Sequence, residues 1–351
     1  MFDFAEYDLH DIITHHARAG DGGHGGPPPA FLVKSVVWQM LQGVAFMHAH
    51  RLVHRDLKPS NILLMGPDSR EPGCVKIADF GLARSLRAPL RPLADNGVVV
   101  TIWYRAPELL LGARHYGEAI DTWAAGAILG ECMSGRALFK GQEAKGPGNP
   151  FQLDQLRRIF AALGPPCEAD WPELAHMPYW CASDGRARRL RCAVADCGRA
   201  GFTTARACAR CRRRARCAAA RASALRRHSK ADAHPSQFRF EDRGGHLPPP
   251  GSAARDLLHR LVTYAPDKRL SPADALQHGW FAEAPLPSAN ALLGPSGERS
   301  GPYPRRVAEM AARANAKRKA EEAPPPARPE PPARRDSAVL PRQHASSLQW
   351  D

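Results

Sequence analysis

Apolar residues recur every three or four positions across residues 31–50, at Val33, Val36, Val37, Met40, Leu41, Val44 and Met47. That spacing predicts an amphipathic helix. The same period returns over 120–134, 153–163 and 253–263. In residues 1–19, Phe4, Leu9, Ile12 and Ile13 predict a short helix after an extended start. Brief alternations at 52–54, 62–65 and 75–78 predict three short strands. Residues 20–29, GDGGHGGPPP, can only be loop. The pattern is mostly helix with a few strands, an α+β class. No apolar run approaches the roughly 20 residues of a membrane span, and the acidic start MFDFAEYD lacks the basic region of a secretory signal. No membrane partner is expected.

Composition changes this picture in two places. Across 351 residues, 44% are hydrophobic, which excludes a wholly disordered chain. The 33 prolines and 29 glycines nevertheless assign a good part of it to loop and tail. The net charge is +14, but residues 180–235 alone hold 15 Lys+Arg against 3 Asp+Glu, which leaves 34 against 32 elsewhere. The main domain is therefore near neutral, and direct nucleic-acid binding is not expected of it. Residues 180–246 are Arg/Ala/Cys-rich and carry too few large apolar side chains for a core. From about Ala282 the chain turns Pro/Ala/Arg/Glu-rich, including AEEAPPPARPEPPARR, and is predicted to stay solvated.

The candidate chemistry lies in residues 54–61, HRDLKPSN, in Asp79-Phe80-Gly81 eighteen residues after Asn61, and in Ala106-Pro107-Glu108. Asp56 can offer a carboxylate to a substrate hydroxyl, and Lys58 a cation beside a transferring phosphoryl group. Asn61 and Asp79 are hard oxygen ligands suited to Mg²⁺. Phosphoryl transfer needs this mixture, because positioning and charge neutralisation supply nearly all of its catalysis.

Three such motifs in order, with strand-like sequence between them, resemble the eukaryotic protein kinase family, and the LysProSerAsn run its serine/threonine branch. Asp121, Trp123 and Gly126 resemble the buried Asp and helix of the kinase C-lobe. Arg269 resembles the arginine that pairs with the Ala-Pro-Glu glutamate, here Glu108. Thr101 to Tyr116, Pro92 to Asp95, and the PLPS and GPYP stretches near 285 and 301 are similar to cyclin-dependent kinases of the Mediator-associated branch.

The resemblance implies a mainly helical C-lobe in residues 1–179 and 246–306, an irregular insertion at 180–245 and a disordered tail at 307–351. It implies ATP and Mg²⁺ as cofactors, a C-type cyclin and Mediator kinase-module subunits as partners, and nuclear Ser/Thr-Pro substrates in RNA polymerase II transcription. By the same resemblance Asp56, Lys58 and Thr101 are catalytic, Thr101 hydrogen-bonding near the other two. The backbone of Asp3 and Ala5 would meet adenine, Asp8 the ribose, and Leu63 the pocket floor. His54 would be structural. Arg105 would lie where such kinases favour a proline after the phosphorylated residue. The usual phosphorylated threonine of the activation loop is replaced by Asn96, so order would come from an acidic residue or a partner, or the loop would stay flexible.

The Gly-rich loop, the lysine and the glutamate of the upper lobe are not found, so the chain is expected to begin at the hinge and to lack that lobe. On that expectation a second role stands beside catalysis, a catalytically impaired lobe serving as a protein-interaction module. Gly20, Gly22 and Gly25 fit G-x-G-x-x-G by letter, but prolines follow instead of a strand, which marks a loop insertion. Cys192, Cys197, Cys208, Cys211, Cys217 and His228 have a spacing that suits Zn²⁺ and resembles a MYND-type finger. Arg221 and Leu225 stand where that finger has a cysteine and an aromatic, and solvated disorder is the preferred reading. Lys317 to Lys319 form a basic triplet of the kind seen in nuclear-import patches.

Overall fold

The computed structural model of the chain describes residues 4–18, 25–86, 101–142, 152–180 and 247–303. All of these lie in one compact unit, Met1–Ala308. Asp3, the activation-loop position Asn96, the six candidate zinc ligands and the Lys317–Lys319 triplet fall outside the described residues.

The chain opens with β1 (Tyr7–Asp8) and α1 (Leu9–Arg18), followed by α2 (Ala30–Ala49) and β2 (Leu52–Val53). Then come β3 (Ile62–Leu64), β4 (Val75–Ile77) and β5 (Arg84–Ser85). The helical part continues with α3 (Pro107–Leu110), α4 (Ala119–Ser134), α5 (Leu153–Leu163), α6 (Ala253–Leu261) and α7 (Pro272–Ala275). The α+β expectation holds, and every predicted helix is present within two residues. Alternation marked β2, β3 and β4 but not β1 or β5.

The helices pack around α2 and α4. Helix α2 touches α4, α7 and β4, and its residues from Phe31 to Val37, with Met40, Leu41 and Val44, are buried. Contrary to the sequence expectation, Ala30–Ala49 is long and apolar enough, by length and composition, to cross a membrane. Here those apolar residues are spent on the interior, as in any core helix. Helix α4 is buried from Ile120 to Met133 and packs on α6. It stops at Gly135, whose φ of 69° lets its N–H bond back to Glu131 O at 2.8 Å.

Two small antiparallel sheets sit against this helical body. One has the order β1-β3-β4, with Asp8 opposite Leu63, Tyr7 opposite Leu64 and Ile62 opposite Ile77. The other pairs Leu52 with Ser85 and Val53 with Arg84.

Residues 283–303, which composition alone assigns to solvated tail and the resemblance to the last part of the lobe, are held against the helical body. Ala291, Leu292 and Tyr303 are buried. Three apolar residues could not hold such a stretch alone, and side chains of α2 bond to its backbone: Lys34 Nζ donates to Glu283 O, and Gln39 Nε2 to Ser288 O. Composition registers the scarcity of apolar residues but not these anchors.

One buried pair gives a test of stability. Tyr104 Oη donates to Glu131 Oε2 at 2.6 Å, and both residues are buried. Burial raises the Glu131 carboxyl above its ordinary 4.5, opposed by the Tyr104 hydrogen bond and by His10 and Lys140. A raised carboxyl pKa contributes stability below the unfolded value and loses it as pH rises through the folded value. Glu131→Gln keeps an acceptor for Tyr104 and removes the buried charge. The variant is expected to gain thermal stability over the parent as pH rises from 4.5 toward neutrality. Melting curves across that range check this, and a pH-independent difference would contradict it.

Candidate active site

Strand pairing brings the separate motifs together. Residues 54–61 run directly into β3, and β4 runs out to Asp79. Ile62 faces Ile77, and the ladder continues one step further, with Ala78 N donating to Asn61 O at 2.9 Å. Asn61 and the Asp79 turn therefore lie side by side. On the far side, Val53 opposite Arg84 closes the same loop pair through β2 and β5.

His54 is fully buried between the two loops. Its Nε2 donates to Ala78 O at 3.0 Å and its Nδ1 accepts from Asp56 N at 3.3 Å. Both ring nitrogens are thus used in holding backbone, the structural role expected from the resemblance. The Phe80 ring meets the imidazole edge-on at 5.1 Å between centroids.

Asp121, at the start of α4, anchors the loop from below. Its Oδ2 accepts from His54 N and its Oδ1 from Arg55 N, each at 2.8 Å. His48 Nε2 lies 3.1 Å from Oδ2. These bonds hold Arg55 at a φ of 73°, a left-handed conformation that costs a bulky residue on the order of 1 kcal/mol or more. Sequence reasoning found Asp121 but passed over His48. The available signal was a histidine on the otherwise apolar last turn of α2.

The carboxylate of Asp56 is held by its own loop. Lys58 Nζ donates to Oδ2 at 2.7 Å. Asn61 Nδ2 donates to Asp56 O at 2.8 Å and reaches Oδ2 at 3.4 Å. Among the described residues the side-chain donors to this carboxylate both reach Oδ2, which leaves Oδ1 for another partner. With the Asn61 amide nitrogen committed, its carboxamide oxygen is the atom left for a ligand. Asp79, exposed and at a φ of 68°, accepts from Gly81 N through Oδ1 at 3.4 Å. An amide oxygen and a carboxylate on adjoining loops form a hard-oxygen donor set that fits Mg²⁺.

Beside Asp56 opens a small, solvent-open cleft, lined among others by Arg55, Thr101, Tyr104, Arg105 and Leu109. Thr101 shares this cleft with Asp56. Among the described residues no hydrogen bond joins Thr101 directly to Asp56 or Lys58. Thr101 begins the tight turn Ile102–Tyr104, which is tied down elsewhere. Trp103 Nε1 donates to Gly141 O at 2.8 Å, and Gln155 Nε2 donates to Trp103 O at 3.3 Å.

The three described residues proposed for nucleotide lie at or beside the first sheet. Asp8 pairs with Leu63 across β1 and β3, and Ala5 is buried just before β1. Asp8 Oδ1 also accepts from Asp11 N at 2.9 Å, fixing the first turn of α1. For zinc, no group of three or more His, Cys, Asp or Glu is placed to hold a metal among the described residues.

The comparisons agree with this geometry. The protein kinase domain model matches residues 4–281. The expectation that the upper lobe is missing is not borne out by that match. Cyclin-dependent kinase E-1 of Arabidopsis thaliana is 42% identical over 292 residues, covering 83% of this chain and 52% of the relative. Probable cyclin-dependent kinase 8 of Dictyostelium discoideum is 38% identical over 313 residues, covering 88% and 65%. The chain thus spans between about half and two thirds of these curated relatives. Among solved structures, the yeast RNA Pol II CTD kinase complex is similar with a TM-score of 0.56 and 26% identity, over 83% of this chain and 73% of that one.

Proposed function

The chain belongs to the protein kinase family, and from that premise we propose that it is a cyclin-dependent serine/threonine kinase acting on Ser/Thr-Pro sites in RNA polymerase II transcription. The observation that carries the reading is the strand register that sets Asp56, Lys58 and Asn61 beside the Asp79 turn. The names of the relatives support the cyclin-dependent branch, and the polymerase-directed neighbour supports the substrate class. A C-type cyclin, Mediator kinase-module subunits and a nuclear location belong to the same reading. So does the division of the lobe at 179 and 246 by an insertion and its end near 306.

In this reading Asp56 Oδ1 accepts a hydrogen bond from the substrate hydroxyl and aims its lone pair at the phosphorus. Lys58, now on Oδ2, keeps the carboxylate oriented and stands beside the transferring group. Asn61 and Asp79 would hold Mg²⁺, which when bound neutralises phosphate charge. Ala5, Asp8 and Leu63 would seat the nucleoside, and Arg105 and Thr101 line the cleft that the substrate backbone enters.

The test is transfer of labelled γ-phosphate from Mg·ATP to paired Ser-Pro and Ser-Ala peptides, with a C-type cyclin present. Transfer to Ser-Pro at least about tenfold above Ser-Ala is expected, a preference worth roughly 1.4 kcal/mol. Absence of product on both peptides would overturn the catalytic reading in favour of an interaction module.

A further inference from the structure

Residues 283–303 cross α2 as a strap, and the contacts along it are specific. Ser288 N donates to Ser35 Oγ at 3.0 Å. Gln39 Nε2 donates to Ser288 O and Ala289 O at 3.0 and 3.1 Å, while its Oε1 accepts from Val75 N in β4 at 2.8 Å. The strap then seats on the β3–β4 turn, where Ala291 N donates to Gly73 O at 3.1 Å. Gly73 has a φ of 69°, and a Cβ there would lie 2.2 Å from Asn290 Oδ1 and 2.5 Å from Ala291 N. Only glycine lets the two backbones approach so closely. The chain doubles back, with Ser300 N bonding Leu292 O at 2.9 Å, and reaches Tyr303.

Tyr303 is buried, and its ring meets Tyr7 edge-on at 5.7 Å and His15 and His16 at 5.5 Å each. Its hydroxyl lies 2.9 Å from His16 Nε2 and is hydrogen-bonded to Ser300 Oγ. Tyr7 is half of β1. Side chains alternate along a strand, and partners across an antiparallel pair share a face. Asp8 and Leu63 therefore look one way, while Tyr7 and the fully buried Leu64 look the other. Tyr303 presses on the second face.

We propose that Tyr303 is a positioning residue for the nucleotide: through Tyr7 it holds β1 in register with β3, and so fixes Asp8 opposite Leu63 and the segment that carries Ala5 just before it. This rests on the kinase reading above. A strand of two residues fixes its own register poorly, so its position depends on what packs behind it.

The experiment compares the full chain with Tyr303→Ala, Tyr303→Phe and Tyr264→Phe. The last removes a remote hydrogen bond, Tyr264 Oη to Gly164 O, and controls for lost stability. Tyr303→Ala is expected to raise the KM for ATP about five- to tenfold with kcat within about twofold. It should also speed hydrogen exchange at the Tyr7 and Asp8 amides. Tyr303→Phe should restore most of both, and Tyr264→Phe should lower the melting temperature without moving either. An unchanged KM in an active kinase overturns the positioning role and leaves the kinase reading intact. Should the parent chain transfer no phosphate, the kinase reading fails, and the exchange rates alone then decide whether Tyr303 holds β1. Equal exchange at Tyr7 and Asp8 in all four proteins overturns it.

Discussion

Asp56→Asn is expected to lower kcat for phosphoryl transfer by about 10²–10⁴-fold, the usual contribution of a positioned acid–base group. The substitution is nearly isosteric. The backbone carbonyl that Asn61 grips is unchanged, and so is the Asp56 N–H that bonds His54 Nδ1. The loop should keep its shape, with a melting temperature close to the parent's. The charge that orients a substrate hydroxyl is lost, together with the 2.7 Å ion pair to Lys58. The KM for ATP should move little, because Ala5, Asp8 and Leu63 lie at or beside the β1–β3 pair, whereas the Asp56 carboxylate lies in the loop that precedes β3. Steady-state kinetics with a Ser-Pro peptide separate the two constants. A variant that keeps more than about a tenth of the parent's kcat would show that Asp56 is not the acid–base group.

Asp56 could be picked out because its motif, residues 54–61, is contiguous between two strands, and contiguity survives in a sequence. What brings Asp79 to it was legible only in part. The strand-like stretches at 62–65 and 75–78 were visible, but not their register, which depends on which residues pair rather than on which are apolar. The two-residue strands β1 and β5 left no periodic trace. The strap is the clearest failure of composition. Pro285, Pro287 and Pro295 and the small residues around them read as solvated chain, yet backbone bonds to Ser35, Gln39 and Gly73 fasten it. Such anchors join positions some 250 residues apart, beyond the reach of any local pattern. Thr101 was named from the family resemblance alone, and the turn that begins at Ile102 sets it in the cleft beside Asp56. Glu108 and Arg269, by contrast, could be paired from motif identity alone.

That pair gives the largest expected effect on stability. Arg269 and Glu108 are both buried, and two guanidinium nitrogens meet the two carboxylate oxygens at 2.6 Å each. The remaining donors reach Thr263 O at 2.7 Å and Ala119 O and Tyr264 O at 2.9 Å, and the cation lies 5.0 Å from the Trp123 ring centre. Every N–H of the guanidinium has an acceptor, which is the condition for a buried ion pair to offset its desolvation. The bonds also tie α3 and the start of α4 to the turn after α6, with Ala119 and Arg269 150 residues apart in the chain. Arg269→Ala would leave the Glu108 carboxylate buried without its cation and take the guanidinium donors away from three carbonyls. The expected loss is about 3–5 kcal/mol, on the order of 10 °C in melting temperature for a domain of this size. Glu108→Gln combined with Arg269→Met removes the charge together with its partner, and should recover part of that loss. If the double variant is no more stable than Arg269→Ala, the stranded charge is not the cause, and the three carbonyl bonds account for the destabilisation.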